Sequence, residues 1–203
     1  MQRIADLKRA LEQAQHLLHQ DDLTPLLNRR GFRRACDRWA GNGPMAMSAC
    51  CAMIDLDGFK AINDRHGHPV GDAALVHFAA TLRRHLRPAD TIARLGGDEF
   101  AAIFTDLAAA SASEPLIERL LGAIAAPVVI DGLGLQVSGS IGVSYFPQQG
   151  DLEAEQLLRQ ADHAMYAAKL SGRNRCCVFV GEGDEGGERG AAANARPRPS
   201  TAA

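Results

Sequence analysis

The stretch Arg94-Leu95-Gly96-Gly97-Asp98-Glu99-Phe100 constrains the fold of this chain more than any other. Apolar runs of strand length flank it at residues 91–95 and 100–104, so residues 96–99 read as the tip of a β-hairpin. Gly96 and Gly97 permit positive φ and let a ligand approach the backbone closely. Asp98 and Glu99 on such a tip would repel one another and any anion unless a cation received them. Gly-Gly-Asp is also what an ordinary solvated turn contains, so the rest of the chain has to decide between a metal site and a plain loop.

A second acid stands where a metal site would need it. Residues 47–55 form an apolar run that ends in Asp55, the pattern of a buried central strand with an acid at its carboxyl end, where open α/β sheets bind ligands. The turn that follows, Asp55-Leu56-Asp57-Gly58-Phe59-Lys60, leads into a helix whose first amides, Gly58, Phe59 and Lys60, are free to meet phosphate oxygens. Asp55 cannot hold a phosphate there, but it can hold the cation that a nucleotide brings with it. Two carboxylates at about 4 Å with no cation between them would repel by about 4 kcal/mol at the effective dielectric near a protein surface.

The remaining elements follow from periodicity and breakers. Helices are predicted over residues 29–39, 70–86, 114–125 and 152–170, and strands over 136–144 and 174–180. Asp72 falls at the start of the 70–86 helix, where spacing alone makes it a capping acid. Lys169 and Arg173 stand four apart, on one face near the carboxyl end of the 152–170 helix, and by themselves they would only complement the helix dipole. His66 and His68 have no partner spacing and read as loop or surface residues rather than ligands. Ile4, Leu7, Leu11, Ala14 and Leu18 step by threes and fours over residues 3–20, which suits both the seam of a two-stranded coil and an amphipathic helix packed on its own domain.

Composition narrows what such a site could serve. The 203 residues, 46% hydrophobic and 23% charged, fit one domain with appendages. A formal net charge of -2 provides no global basic field, which argues against indiscriminate nucleic-acid or anionic-membrane binding, so phosphate recognition must be local. Cys36, Cys50, Cys51, Cys176 and Cys177 show no Cys-x-x-Cys spacing, and the expectation is buried thiols in a reducing, cytoplasmic compartment. No signal-peptide pattern and no apolar run of membrane-spanning length are present, so the chain reads as soluble.

Taken together, several separated motifs resemble the GGDEF family, the diguanylate cyclases. They are Asp21-x-Leu23-Thr24 with Asn28-Arg29-Arg30; Asp55-x-Asp57-x-Phe59-Lys60-x-x-Asn63-Asp64; Gly67-His68 with Gly71-Asp72; residues 96–100; and Ala161-Asp162 through Tyr166, Lys169, Gly172, Arg173 and Asn174. The resemblance covers residues 21–180, leaving residues 1–20 as a helical stalk and 181–203 as a tail too poor in apolar residues to fold. It implies an α/β (α+β) fold: a central, mainly antiparallel sheet flanked by helices, similar to polymerase palms and the adenylyl cyclase core.

The implied reaction joins two GTP molecules into cyclic di-GMP and releases two pyrophosphates. On that resemblance Asp55, Asp98 and the Leu56 carbonyl hold two magnesium ions, with manganese as an alternative, and Glu99 helps position metals and substrate. Gly96 and Gly97 line the substrate, Asn63 and Asp72 read guanine, and Lys169 and Arg173 hold the triphosphate together with the amides of Gly58, Phe59 and Lys60. Either Asp98 or a metal-bound hydroxide takes the 3′-hydroxyl proton. A symmetric product demands a homodimer, and an upstream sensory domain would act through the stalk. Arg87-x-x-Asp90 resembles the family's inhibitory product site, to which cyclic di-GMP would return. Pro25 departs from the glycine usual in the Leu-Thr-Gly-Leu turn and would stiffen the joint between stalk and domain. Rival expectations are a non-catalytic nucleotide receptor and a cyclase that also accepts adenine, the latter opposed by Asp72.

Overall fold

The computed structural model describes residues 3–4, 18–40, 49–105, 110–146 and 153–180. The seam positions Leu7, Leu11 and Ala14 and the tail from residue 181 onward lie outside the described residues. The elements are α1 (Arg29–Ala40), β1 (Cys50–Asp57), α2 (Phe59–His66), α3 (His68–His85), β2 (Thr91–Gly96), β3 (Glu99–Phe104), α4 (Ala110–Ile124), β4 (Val128–Ile130), β5 (Leu133–Leu135), β6 (Ser138–Tyr145), α5 (Ala154–Leu170) and β7 (Arg175–Val178).

Five strands form one sheet in the order β2-β3-β1-β6-β7, with β6 and β7 parallel and the other pairs antiparallel. The apolar run of β1 is explained by its place: it is central, and helices cover both faces. Cys50, Ala52, Ile54 and Leu56 point into a core shared with α2, α3 and α4. Cys51 and Met53 point the other way, into a core shared with α1 and α5. Alternation along a strand therefore puts Asp55 and Asp57 on the α1/α5 face. On that face Gly142 of β6 lets α5 come so close that an added Cβ would overlap the Ala161 carbonyl oxygen and the Met165 amide.

The segment ahead of α1 closes the β2 edge of the sheet. Leu27 donates its amide to the Ile92 carbonyl (3.3 Å) and accepts from the Arg94 amide (2.8 Å). Asn28 accepts the Gly31 amide at 2.9 Å, an N-cap for α1, while its own Nδ2 reaches the Leu18 and Gln20 carbonyls. Asp21 accepts the Thr24 amide and hydroxyl (2.8 and 2.7 Å) and pairs with Arg94 at 3.2 Å. Pro25 is exposed, and its carbonyl accepts Arg83 Nη1 at 2.7 Å.

Burial pushes the Asp21 carboxyl up, but the Thr24 bonds and the Arg94 guanidinium outweigh it and leave the pKa below the ordinary 3.8. A depressed carboxylate stabilises the fold fully above its unfolded value and loses that contribution as pH falls through the folded one. Asp21→Asn is therefore expected to cost about 1–2 kcal/mol at pH 7, the scale of a hydrogen bond to a charged group, and the gap to wild type should close below the ordinary carboxylate range. Denaturant melts at several pH values check this; a gap independent of pH would show that the charge contributes nothing.

Several sequence expectations need correction. β1 continues past Asp55 to Asp57, because Leu56 and Asp57 still pair with Gly139 and Ser138 of β6. α3 begins at His68 rather than residue 70, with proline in its first turn, so Asp72 lies beyond the capping position. His66 and His68 close α2 and open α3 rather than lying in a loop, while His68 is exposed and His66 partly so, as surface residues would be. The small β4–β5 hairpin was not anticipated: Gly132 and Gly134 suggest a turn ahead of the 136–144 strand, and Gly132 does lie in the hairpin turn, but Gly134 is a strand residue.

Candidate active site

The hairpin between β2 and β3 turns through only two residues, Gly97 and Asp98, because Gly96 and Glu99 are already paired. The expected four-residue tip is thus shorter, and a bulge at Leu95 takes up the register. Gly96 and Gly97 have φ of 144° and 53°, a backbone that other residues adopt at a cost. Among the described residues, chain neighbours apart, nothing lies within 4 Å of where their Cβ atoms would be.

Arginine side chains brace the turn and the strands beside it. Arg94 donates from Nε to the Gly97 carbonyl at 2.9 Å, which links the Asp21 anchor to the hairpin tip. Arg29, on the first turn of α1, donates to the Leu95 carbonyl (3.2 Å) and approaches Glu99 Oε2 (3.4 Å). Neither role was read from the sequence, since both depend on which strand lies beside the amino-terminal segment.

Antiparallel pairing of β1 with β3 sets Asp55 opposite Glu99, so their side chains share a face. The Leu56 amide donates to the Asp98 carbonyl at 3.3 Å, and the Asp98 charge acts on the Asp55 carboxyl across this contact. Burial pushes the Asp55 carboxyl up, its hydrogen bond to Lys169 opposes this, and the negative charges of Asp98 and Asp57 push it up further; the net pKa is raised. Lys169 Nζ, from the last turn of α5, lies 2.8 Å from Asp55 Oδ2. The resemblance assigns this lysine to phosphate; here it supplies the positive charge that the paired carboxylates need.

These donors suit a hard divalent cation. They are all oxygens, two of them come from mutually repelling carboxylates, and the neighbouring ammonium shows that positive charge is stabilised at this spot. Among the described residues no cluster of three or more His, Cys, Asp or Glu forms a complete cage, so a cation would complete its shell with backbone oxygen, water or substrate.

The groups expected to meet the nucleotide surround this point. Gly58 sits at the N-cap of α2 with φ 76°, and the amides of residues 58–60 precede the first intrahelical acceptors. The Phe59 side chain is buried in the core, leaving only its backbone for a ligand, while Lys60 is exposed. On α2, Asn63 packs against Gly71 of α3, where a Cβ would overlap Asn63 Oδ1; this brings Asn63 next to the exposed Asp72. Arg173 lies in an exposed turn after α5 with φ 60°.

Arg87 and Asp90 stand apart from this cluster, in the turn between α3 and β2. Asp90 accepts the Arg87 amide at 2.8 Å and the Thr105 amide at 3.1 Å, so its carboxylate first of all shapes the turn. A cleft of about 440 Å³ lies alongside, lined by Arg83, Arg87, Asp90 and the segment around Pro25.

The sequence also left Asp57 without a role. Its carboxylate accepts Ser138 Oγ and Ser140 Oγ, each at 2.7 Å, and the Asn174 amide at 3.0 Å. The alternating hydroxyls at 138 and 140 were the available signal, since period two puts both on one strand face.

Comparison with known proteins places the fold in a family. The family model described as "Diguanylate cyclase, GGDEF domain" matches residues 18–175. The chain is 38% identical over 160 residues to "Diguanylate cyclase TpbB" of Pseudomonas aeruginosa, covering 78% of this chain and 37% of that protein. It is 40% identical over 189 residues to an uncharacterized signaling protein of Caulobacter vibrioides, covering 90% of this chain and 23% of the relative. The chain therefore spans well under half the length of these curated relatives. Among solved structures, the coiled coil and GGDEF domain of DgcB from Caulobacter crescentus, in complex with c-di-GMP, superposes with TM-score 0.78 at 29% identity, covering 87% of this chain and 93% of that one. The isolated GGDEF domain of TpbB superposes with TM-score 0.74 at 36% identity, covering 80% and 95%. A match that begins ahead of α1 and runs into β7 takes in every strand and helix around the paired acids, and the chain belongs to the GGDEF-domain diguanylate cyclase family.

Proposed function

We propose that this chain condenses two GTP molecules into cyclic di-GMP and two pyrophosphates, and that it does so as a homodimer. The observation that carries the reading is the meeting of Asp55 and Asp98 under the charge of Lys169, an oxygen-donor pair already compensated by a cation. Two magnesium ions, or manganese, held by Asp55, Asp98 and the Leu56 carbonyl, would supply activation of the ribose 3′-hydroxyl and neutralisation of the leaving pyrophosphate.

The chain's own residues do the rest. Asn63 and Asp72 bind guanine, the aspartate accepting from the ring N–H and the exocyclic amine; adenine offers that edge no matching pair of donors, which favours GTP over ATP. The amides of Gly58, Phe59 and Lys60 with Lys169 and Arg173 hold the triphosphate, and Gly96 and Gly97 leave room for it. On substrate entry Lys169 exchanges its bond to Asp55 for phosphate. Glu99, held by Arg29, orients the site, and Asp98 is placed to take the 3′-hydroxyl proton.

Each site holds one GTP, while the product contains two joined by two equivalent bonds, so two sites must face each other across a twofold axis. A coil formed by the amino-terminal helix would bring them together and let an upstream domain control the encounter. The chemistry is that of a cytoplasmic enzyme, where GTP is found.

Product analysis by mass after incubation with GTP and magnesium, run across protein concentration, tests the reading. Cyclic di-GMP should form with a rate per subunit that rises with concentration. A dimeric sample that makes none would refute the enzyme and favour a nucleotide receptor.

Returning product would bind at Arg87 and Asp90. With the Asp90 carboxylate already holding its turn, Arg87 carries most of the recognition. Arg87→Ala should keep turnover within about twofold and raise the concentration of cyclic di-GMP needed for half-inhibition about tenfold or more, the scale of one charge-assisted bidentate contact. Inhibition curves of the two proteins that coincide would remove Arg87 from the inhibitory site.

A further inference from the structure

The turn that carries Arg173 is held in a costly shape. Arg173 and Asn174 are consecutive non-glycine residues with φ of 60° and 47°, after Gly172 at 115°. Such conformations persist only where surrounding contacts over-determine them. Here the Arg173 amide donates to the Ala168 carbonyl (3.1 Å), and the Arg173 carbonyl accepts from Arg175 Nε (3.1 Å). The Asn174 amide donates to Asp57 Oδ2 (3.0 Å). Residues 171–174 are all exposed, and among the described residues two side chains outside this turn bind it: Arg175, the next residue along the chain, and Asp57, which is remote in sequence.

Asp57 is well placed for that task. It ends β1 two residues after Asp55, on the same face, and its other bonds to Ser138 and Ser140 lock it to β6. Ser140 is itself the register partner of Asp55. The strand holding the metal-ligand candidate and the turn holding the phosphate-ligand candidate are thereby tied together through one carboxylate that accepts three bonds. A carboxylate suits the position because all three neighbours donate to it.

We infer that Asp57 is a positioning residue for the triphosphate: by fixing the Arg173–Asn174 turn relative to Asp55, it sets the distance between the cation site and the arginine that grips the phosphates. The inference rests on the reading of Arg173 as a phosphate ligand given above. Asp57 touches no substrate. Its effect should appear only with ligands that carry the phosphates, because guanine is read by Asn63 and Asp72 on α2 and α3, which pack against the opposite face of the sheet.

The test is titration calorimetry with GTP and with guanosine, in magnesium, on the full chain and its variants. Asp57→Ala should weaken GTP about tenfold, the scale of a lost hydrogen bond to a charged group, and leave guanosine binding unchanged. Asp57→Asn should recover most of the affinity, since its oxygen can still accept from Asn174 while its amide donates to Ser140 Oγ, which can accept. Asp57→Glu keeps the charge but displaces the turn by a methylene, so it should lose GTP affinity too, and it carries the test should the alanine variant not fold. In an Arg173→Ala background, Asp57→Ala should cost no more than about a further twofold.

Unchanged GTP affinity in both Asp57→Ala and Asp57→Glu, equal losses for guanosine and GTP, or additive losses in the double variant would each overturn the positioning role while leaving Arg173 as a ligand. Unchanged GTP affinity in Arg173→Ala alone would overturn the phosphate reading itself and the positioning role with it.

Discussion

Asp98→Ala should lower the rate of cyclic dinucleotide formation by about a thousandfold or more while the protein stays folded. Loss of a carboxylate from a metal pair forfeits several kcal/mol of charge stabilisation at the transition state, and each 1.4 kcal/mol is a factor of ten. The fold is insensitive because the turn is held by backbone groups: Arg94 binds the Gly97 carbonyl and the Leu56 amide binds the Asp98 carbonyl, and both survive the substitution. Stability should even rise slightly, since the Asp98 charge repels Asp55 in the absence of a cation. Initial rates by chromatography, paired with a thermal melt, provide the check. A variant that keeps a tenth of the wild-type rate would take Asp98 out of the catalytic centre, and a collapsed melt would make it structural.

Gly142→Ala is expected to have the opposite profile, with stability failing first and activity as a consequence. The added methyl would overlap the Ala161 carbonyl oxygen, the Met165 amide and Met165 Cα, all backbone atoms of α5 that no rotamer change can move aside. Helix and sheet must separate, at a cost of about 3 kcal/mol or more, the upper end of what overpacking does to a close-packed core. For a domain of this size that lowers the melting temperature by about 6–12 °C. Because α5 carries Lys169 and leads into the Arg173 turn, any displacement also moves the groups set against Asp55. An unfolding free energy from denaturant melts within about 0.5 kcal/mol of wild type would show that the contact is looser than it stands here.

The contrast between these two residues shows what can be read from a chain of letters. Asp98 is legible once the other motifs are read with it: the flanking apolar runs place its turn on a hairpin, and the separated motifs that accompany it decide against a plain solvated turn. Gly142 announces nothing, since a glycine within a strand pattern looks the same whether a helix, a ligand or solvent lies above it. Asp57 falls between the two. Its motif was visible, but its partners at 138, 140 and 174 are remote in sequence and became neighbours only through the β1–β6 pairing. The shorter hairpin tip and the extension of β1 past Asp55 have the same origin, because strand ends are set by the partner strand and not by the residues of one segment.

The order of apolar periods and the breakers by themselves determined the principal helices and strands of the main sheet, and the motif acids pointed to positions 55 and 98. Local forces act within a few residues, and those forces are written in adjacent letters. The tertiary structure alone decided that Lys169 compensates Asp55, that Arg94 ties Asp21 to the hairpin turn, and that Asp57 holds the strained Arg173 turn. Each of these is an electrostatic or hydrogen-bonding contact effective only over a few ångströms, between groups that the sheet order brings together from far along the chain.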